Sequence, residues 1–214
     1  MAQSPRKRLS TTHVLWVALL CGLTACTSPK LIQNASDLTV PSTKALIKTQ
    51  QNQTATHLSS WSIIGVIAAK QKNKAWSASF TWTQRGANQY HLFLFGPLGG
   101  GTINIEKKGS HLIYQNGQKT ITSNNPEQLF AHETGFHLPI HYLYYWIRGL
   151  AAPQAPQSSQ TDQNGHLIFL NQAGYTLHYT AYTRVNQMTL PTKIQFDSSE
   201  GTVKLVIKQW QTPK

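Results

Sequence analysis

The side chains best able to do chemistry in this 214-residue chain are two cysteines, nine histidines and seven acids. Cys26 is singled out by what precedes it. Arg6, Lys7 and Arg8 lead into a short apolar run at 14–23, and Thr24 and Ala25 follow directly. A basic start, a brief hydrophobic stretch and small residues before a cleavage point make a bacterial secretion signal. The run is about half of the roughly 20 residues that span a bilayer, so a transmembrane helix is not expected. The histidines form a poor ligand set. His132, His137 and His141 are close in sequence, but Pro139 keeps one continuous helix from presenting the last two on a face. No cysteine or acidic cluster completes a zinc set. The acids are scattered singly, with no evident carboxylate pair, and no Ser-His-Asp arrangement stands out. Neither a metal centre, a cofactor nor an enzyme is expected.

A cysteine immediately after the cleavage point makes the segment resemble a lipoprotein signal, in which the thiol is acylated and the peptide is cut before Cys26. The plainer alternative is an ordinary cleaved signal with a leftover cysteine. Thr27 follows Cys26. In enterobacterial lipoproteins an Asp at that place usually retains the protein in the inner membrane, so by this resemblance the outer membrane is expected, with the chain lipid-anchored on its periplasmic face. Cys21 would leave with the signal, so the mature chain has no internal disulfide, although an oxidising periplasm would permit one. Loss of Arg6, Lys7 and Arg8 takes the formal charge from +12 to +9, and only 12% of residues are charged. A sparse basic surface suits anionic lipid head groups or an acidic partner. Nucleic acid is not an expected partner outside the cytoplasm.

These residues need elements to position them. Residues 1–25 read as the signal, 26–42 as the lipidated cysteine and a polar tether with Pro29 and Pro41, and 43–214 as one domain. Residues 43–60 predict one amphipathic helix. Alternation then takes over: Trp61, Ile63, Gly65 and Ile67 share one parity, then Trp76, Ala78, Phe80 and Trp82, then Tyr90, Leu92 and Leu94. A period of two means half-buried strands. Further strands are expected at 102–107, 111–114 and 118–121, the last two joined by Asn116-Gly117, a strong hairpin signal. Short helices are expected at 126–131 and 139–147, a loop at 151–161, and strands again at 166–171, 174–182, 193–197 and 202–210. Many strands, two short helices and more strands argue for an α+β arrangement, an antiparallel sheet with helices on one face.

Two features are open to more than one reading. The large apolar side chains on the inward parity either fill a core or line a cavity under a strongly curved sheet. The segment Phe95-Gly96-Pro97-Leu98-Gly99-Gly100-Gly101 carries a single leucine at the middle of a Gly/Pro loop. Leu98 either folds back as a plug or stands out as an apolar tip. The glycines are no phosphate cradle, because no helix start with a P-loop lysine follows.

A family resemblance runs along essentially the whole chain. It is carried by Cys26, Trp61 to Gly65, Trp82, Tyr90-His-Leu-Phe-Leu-Phe-Gly-Pro-Leu-Gly99, Thr134-Gly135, Leu138-Pro139-Ile140, Tyr145-Trp146-Ile147-Arg148-Gly149, Gln172-Ala173-Gly174-Tyr175, Leu190-Pro191 and Trp210. In these the sequence resembles the outer-membrane lipoprotein receptor LolB family, with Val66 where members often have Arg and Tyr175 where they often have Trp. The resemblance implies an unclosed antiparallel β-barrel, with helices covering the open side and an internal apolar cavity for acyl chains. The expected cavity residues are Trp76, Phe80, Trp82, Leu92, Leu94, Leu143, Trp146 and Ile147. The resemblance also implies membrane insertion by the loop of Gly96, Pro97, Leu98 and Gly99, and transfer of lipoproteins from a soluble LolA-like periplasmic carrier into outer-membrane lipid. The only lipid ligands would be the covalent one on Cys26 and the acyl chains of the cargo, and a monomer is expected. Two rivals stay open: a structural outer-membrane lipoprotein that scaffolds proteins around a solid core, and an enzyme acting on lipid or cell wall.

Overall fold

The computed structural model describes residues 55–72, 74–97, 101–134 and 139–213. Among the described residues eleven strands form one sheet. They are β1 (Ser60–Gln71), β2 (Lys74–Arg85), β3 (Gln89–Phe95), β4 (Thr102–Lys108), β5 (His111–Asn116), β6 (Lys119–Ser123), β7 (Ser158–Thr161), β8 (Leu167–Gln172), β9 (Tyr175–Val185), β10 (Met188–Asp197) and β11 (Thr202–Gln211). Their order is β6-β5-β4-β3-β2-β1-β11-β10-β9-β8-β7. Two meanders are thus sewn together where β1 pairs antiparallel with β11. The edges β6 and β7 do not pair, so the curved sheet is unclosed.

Alternation sets the faces as expected. In β1 and β2 the inward pairs are Ile63 with Trp82, Gly65 with Phe80, Ile67 with Ala78 and Ala69 with Trp76. Gly65 is needed for close approach. A Cβ there would lie 2.2 Å from the Val206 carbonyl oxygen and 2.9 Å from the Phe80 ring. The β1–β11 register slips at Ile64/Gly65, a bulge that bends the strand. The Ala173-Gly174 turn between β8 and β9 has φ of 55° and 80°, the left-handed pair that a two-residue hairpin requires.

The chain passes from one edge of the sheet to the other through residues 124–157, and two helices lie in that connection: α1 (Pro126–Thr134) and α2 (Ile140–Trp146). Asn125 caps α1, its Oδ1 accepting the Gln128 N–H at 3.1 Å, while Pro126 takes the first turn, where no N–H is needed. After α2, Gly149 at φ 75° turns the chain, its N–H donating to Trp146 O at 3.0 Å. Leu129 and Phe130 of α1 and Tyr142, Leu143 and Trp146 of α2 join the same hydrophobic core as the inward sheet residues.

Three expectations are corrected. Of the helix expected at 43–60, residues 43–54 lie outside the described residues; only 55–57 are helical, and Ser60 already opens β1. The loop expected at 151–161 ends in β7, four exposed polar residues pairing with β8. An edge strand with no buried face carries no alternation to read. The first helix also runs three residues further than expected, to Thr134.

Candidate functional site

The inward parity of the central strands converges on an apolar pocket of about 50 Å³. Trp76, Phe80 and Trp82 come from β2, Leu92 and Leu94 from β3, Leu143 from α2 and Ile147 from the turn after it. Seven of the eight expected side chains therefore meet around one space. Trp146 does not line it. Its indole is fully buried, donates to Gln172 Oε1 at 2.8 Å and packs on Tyr142, Tyr175 and Phe196. The parity rule extended along β1, β4, β10 and β11 would have found Ile67, Ile105, Phe196, Val203 and Leu205, which also line the pocket with Tyr90, Phe130 and Ile140. Only packing between sheet and helices could reveal the last two.

A pocket of about 50 Å³ holds little more than one or two waters, each with a share of about 30 Å³. Ligand pockets for drug-sized molecules run to about 300–1,000 Å³. In this conformation the apolar side chains are therefore closed on one another.

One end of the pocket is rigidly walled. Trp61 stacks between Trp82 and Trp210 at 5.4 and 5.6 Å, and Trp82 meets Tyr90 at 5.9 Å. Trp82 Nε1 donates to Gln84 Oε1 at 2.9 Å, and Gln84 Nε2 donates to Gly86 O at 2.6 Å. Among the described residues the buried Tyr90 hydroxyl has no hydrogen-bond partner. Burial, and then the charge of Glu127, push this phenol well above the ordinary tyrosine range, so it stays neutral.

Arg148 ties residues 55–58 to α2. Only 2% exposed, it donates through Nη1 to Leu58 O at 2.8 Å and Ala55 O at 3.2 Å, and through Nε to Tyr144 O at 2.8 Å. Its guanidinium lies 4.0 Å from the Tyr144 ring centroid. Desolvation lowers its pKa, opposed by the two neighbouring tyrosines. On the solvent side, His141 Nδ1 and Glu127 Oε1 link α2 to α1.

At the end of β3 the Gly96 N–H donates to Gly101 O at 3.0 Å, closing the base of the Gly/Pro loop. Gly96 is half-buried and Pro97 exposed. Leu98 and Gly99 lie outside the described residues, as do Cys26 and His137. Among the described residues no three His, Cys, Asp or Glu side chains come together as a metal set, and no helix is long and apolar enough to cross a membrane.

An unclosed antiparallel sheet whose two edges are linked through a pair of short helices defines a class of fold, and a solved member resembles this chain. A LolA superfamily protein from Nitrosomonas europaea superposes with a TM-score of 0.51, covering 79% of this chain and 93% of that one at 10% identity. That likeness concerns the fold. The sequence is more specific. The family described as outer membrane lipoprotein LolB matches residues 59–210. A protein named outer-membrane lipoprotein LolB from Coxiella burnetii (strain RSA 493 / Nine Mile phase I) is 32% identical over 190 residues, 86% of this chain and 90% of its own length. One of the same name from Francisella tularensis subsp. tularensis (strain FSC 198) is 35% identical over 189 residues, 85% and 90% of the two chains. The chain belongs to the LolB family.

Proposed function

We propose that this protein is an outer-membrane lipoprotein receptor that takes lipoproteins from a soluble LolA-like periplasmic carrier and inserts them into the outer membrane. The observation that carries this reading is the apolar pocket built jointly by the sheet and α2, in a chain of the LolB family. Each CH₂ shielded from water is worth about 0.8 kcal/mol, so one palmitoyl chain exposed during transit costs on the order of 10 kcal/mol. Cargo must therefore move from one apolar interior to another. Trp76, Phe80, Trp82, Leu92, Leu94, Leu143 and Ile147 would contact the acyl chains, with Trp146 bracing α2 behind them and the helices covering the open side. Direction needs only a receptor that binds more tightly than the loaded carrier, and a membrane that binds more tightly still. No catalytic residue, ATP or cofactor takes part.

The remaining parts follow from the same reading. Residues 1–25 are removed, Cys26 carries the lipid anchor, 26–42 tether the domain at 43–214, and the domain works as a monomer on the periplasmic face. Leu98, with Gly96, Pro97 and Gly99, enters the bilayer when cargo is delivered. The test is transfer of a labelled lipoprotein from carrier to the anchored protein in vesicles. Leu98→Glu is expected to accept cargo and fail to insert it. Undiminished insertion by this variant would remove the loop from the mechanism, and no acceptance by the parent chain would remove the receptor reading.

A further inference from the structure

Among the described residues three buried side-chain atoms lack a hydrogen-bond partner: Trp61 Nε1, the Tyr90 hydroxyl and His166 Nε2. Of these residues Tyr90 lines the apolar pocket and the other two do not. Its neighbours in the aromatic wall are answered. Trp82 Nε1 donates to Gln84, and Trp210 Nε1 donates to the Pro191 carbonyl at 2.8 Å. Tyr90 is 7% exposed, and its ring is held against Trp82 at 5.9 Å. It points inward from β3 on the same parity as Leu92 and Leu94. Burial acts on the phenol first and the charge of Glu127 on α1 second. The hydroxyl therefore reaches from the sheet towards α1, across the layer that holds the pocket. A buried donor left without an acceptor is costly, and such groups call for an explanation. Ligand sites commonly keep a few polar groups of this kind in an apolar lining.

The chemistry around Tyr90 restricts the acceptor. A carboxylate is opposed by burial and by the like charge of Glu127. An amide carries an N–H that needs an acceptor of its own. A buried water makes about two to four hydrogen bonds, more than an apolar lining supplies. A carboxylic ester brings a carbonyl that accepts, with neither charge nor donor, and its own hydrocarbon. We propose that the Tyr90 hydroxyl donates to an ester carbonyl of the cargo's acyl chain and sets the direction in which that chain lies. The inference rests on the reading of the pocket as an acyl site and adds a polar anchor to it. Leu92 and Leu94 continue the Tyr90 face of β3 for about 13 Å, so the hydrocarbon runs from the aromatic wall towards Leu94. The ring is already fixed by its contact with Trp82, so little freedom is lost when the bond forms.

The experiment uses the full chain in a Cys26→Ser background, so that no acyl chain of its own competes. Methyl hexadecanoate and heptadecane, each delivered from methyl-β-cyclodextrin, displace a fluorescent anilinonaphthalene sulfonate probe from the parent and from Tyr90→Phe. The variant is expected to bind the ester about fivefold more weakly and the hydrocarbon within about twofold of the parent. Infrared difference spectra with a ¹³C-labelled ester carbonyl give a second readout. The stretch is expected at lower wavenumber in the parent than in hydrocarbon solvent, and back at the solvent position in Tyr90→Phe. A triacylated lipopeptide labelled at its ester carbonyls is expected to show the same lowered band, and a lowered band with labelled phosphatidylethanolamine alone overturns the assignment to cargo. A parent carbonyl at the solvent position, or equal weakening of both ligands by the variant, overturns the anchor while leaving the pocket. Should Tyr90→Phe fail to fold, the parent spectrum decides alone. A parent chain that binds neither ester nor hydrocarbon overturns the pocket reading, and the anchor with it.

Discussion

At the residue scale, Arg148 shows how backbone carbonyls can hold a buried charge. Its guanidinium answers carbonyls of Ala55, Leu58 and Tyr144, joining the first described turn of the domain to the helix whose Leu143 lines the pocket. A planar fork of five donors can meet several divergent acceptors; a lysine ammonium cannot. Arg148→Met keeps the stem's packing but strands those acceptors, and is expected to lower unfolding stability by about 2–3 kcal/mol. The urea midpoint measures it, and Arg148→Lys should recover only part of the loss. An unchanged midpoint would mean that water satisfies the carbonyls. The sequence placed Arg148 within a recognisable motif but not in this role, since its partners at Ala55 and Leu58 are 93 and 90 residues away.

At the element scale, legibility followed burial. Strands with one wet and one buried face announced themselves by period two, while it was the family resemblance that assigned eight side chains to a cavity, seven of which line the pocket. β7 has no buried face and was invisible. Trp146 shares a helical stripe with Leu143, yet its indole is drawn to a polar partner that no periodicity reports. That partner, Gln172 on β8, also accepts the Ala152 N–H at 3.0 Å and donates to Ala152 O at 3.1 Å. One buried amide thus fixes both α2 and the segment that leads to β7. Gln172→Met keeps comparable volume and leaves the indole N–H and the Ala152 groups unpaired. The expected cost is about 2–4 kcal/mol, with the Ala152 amide losing hydrogen-exchange protection while β1–β2 amides keep theirs. Retained protection at Ala152 would show that the segment is held elsewhere.

At the scale of the whole molecule, charge and topology meet at one end of the sheet. The β1–β2 turn, the β3–β4 loop and the β10–β11 turn all lie there, as the pairing of Lys70 with Thr202 and of Ser79 with Phe95 requires. Lys70, Lys72, Lys74 and Lys204 are exposed around it, against Asp197 and Glu200. Four lysines against two acids leave the balance positive, with Asp197 accepting from Thr202 and Gln195. If delivery takes place at the bilayer as proposed, each lysine near an anionic surface contributes about 1 kcal/mol, which would turn this end of the sheet towards the membrane. Delivery of labelled lipoprotein into phosphatidylglycerol-containing vesicles is then expected to slow several-fold as salt is raised from about 0.05 to 0.5 M, where the screening length falls to a few ångströms. Lys70→Glu combined with Lys204→Glu should slow it at low salt and flatten the salt dependence, while acceptance from the carrier is unaffected. If acceptance rather than delivery proves salt-sensitive, the basic surface serves carrier docking instead, and the orientation of the domain on the bilayer rests on the Gly/Pro loop alone.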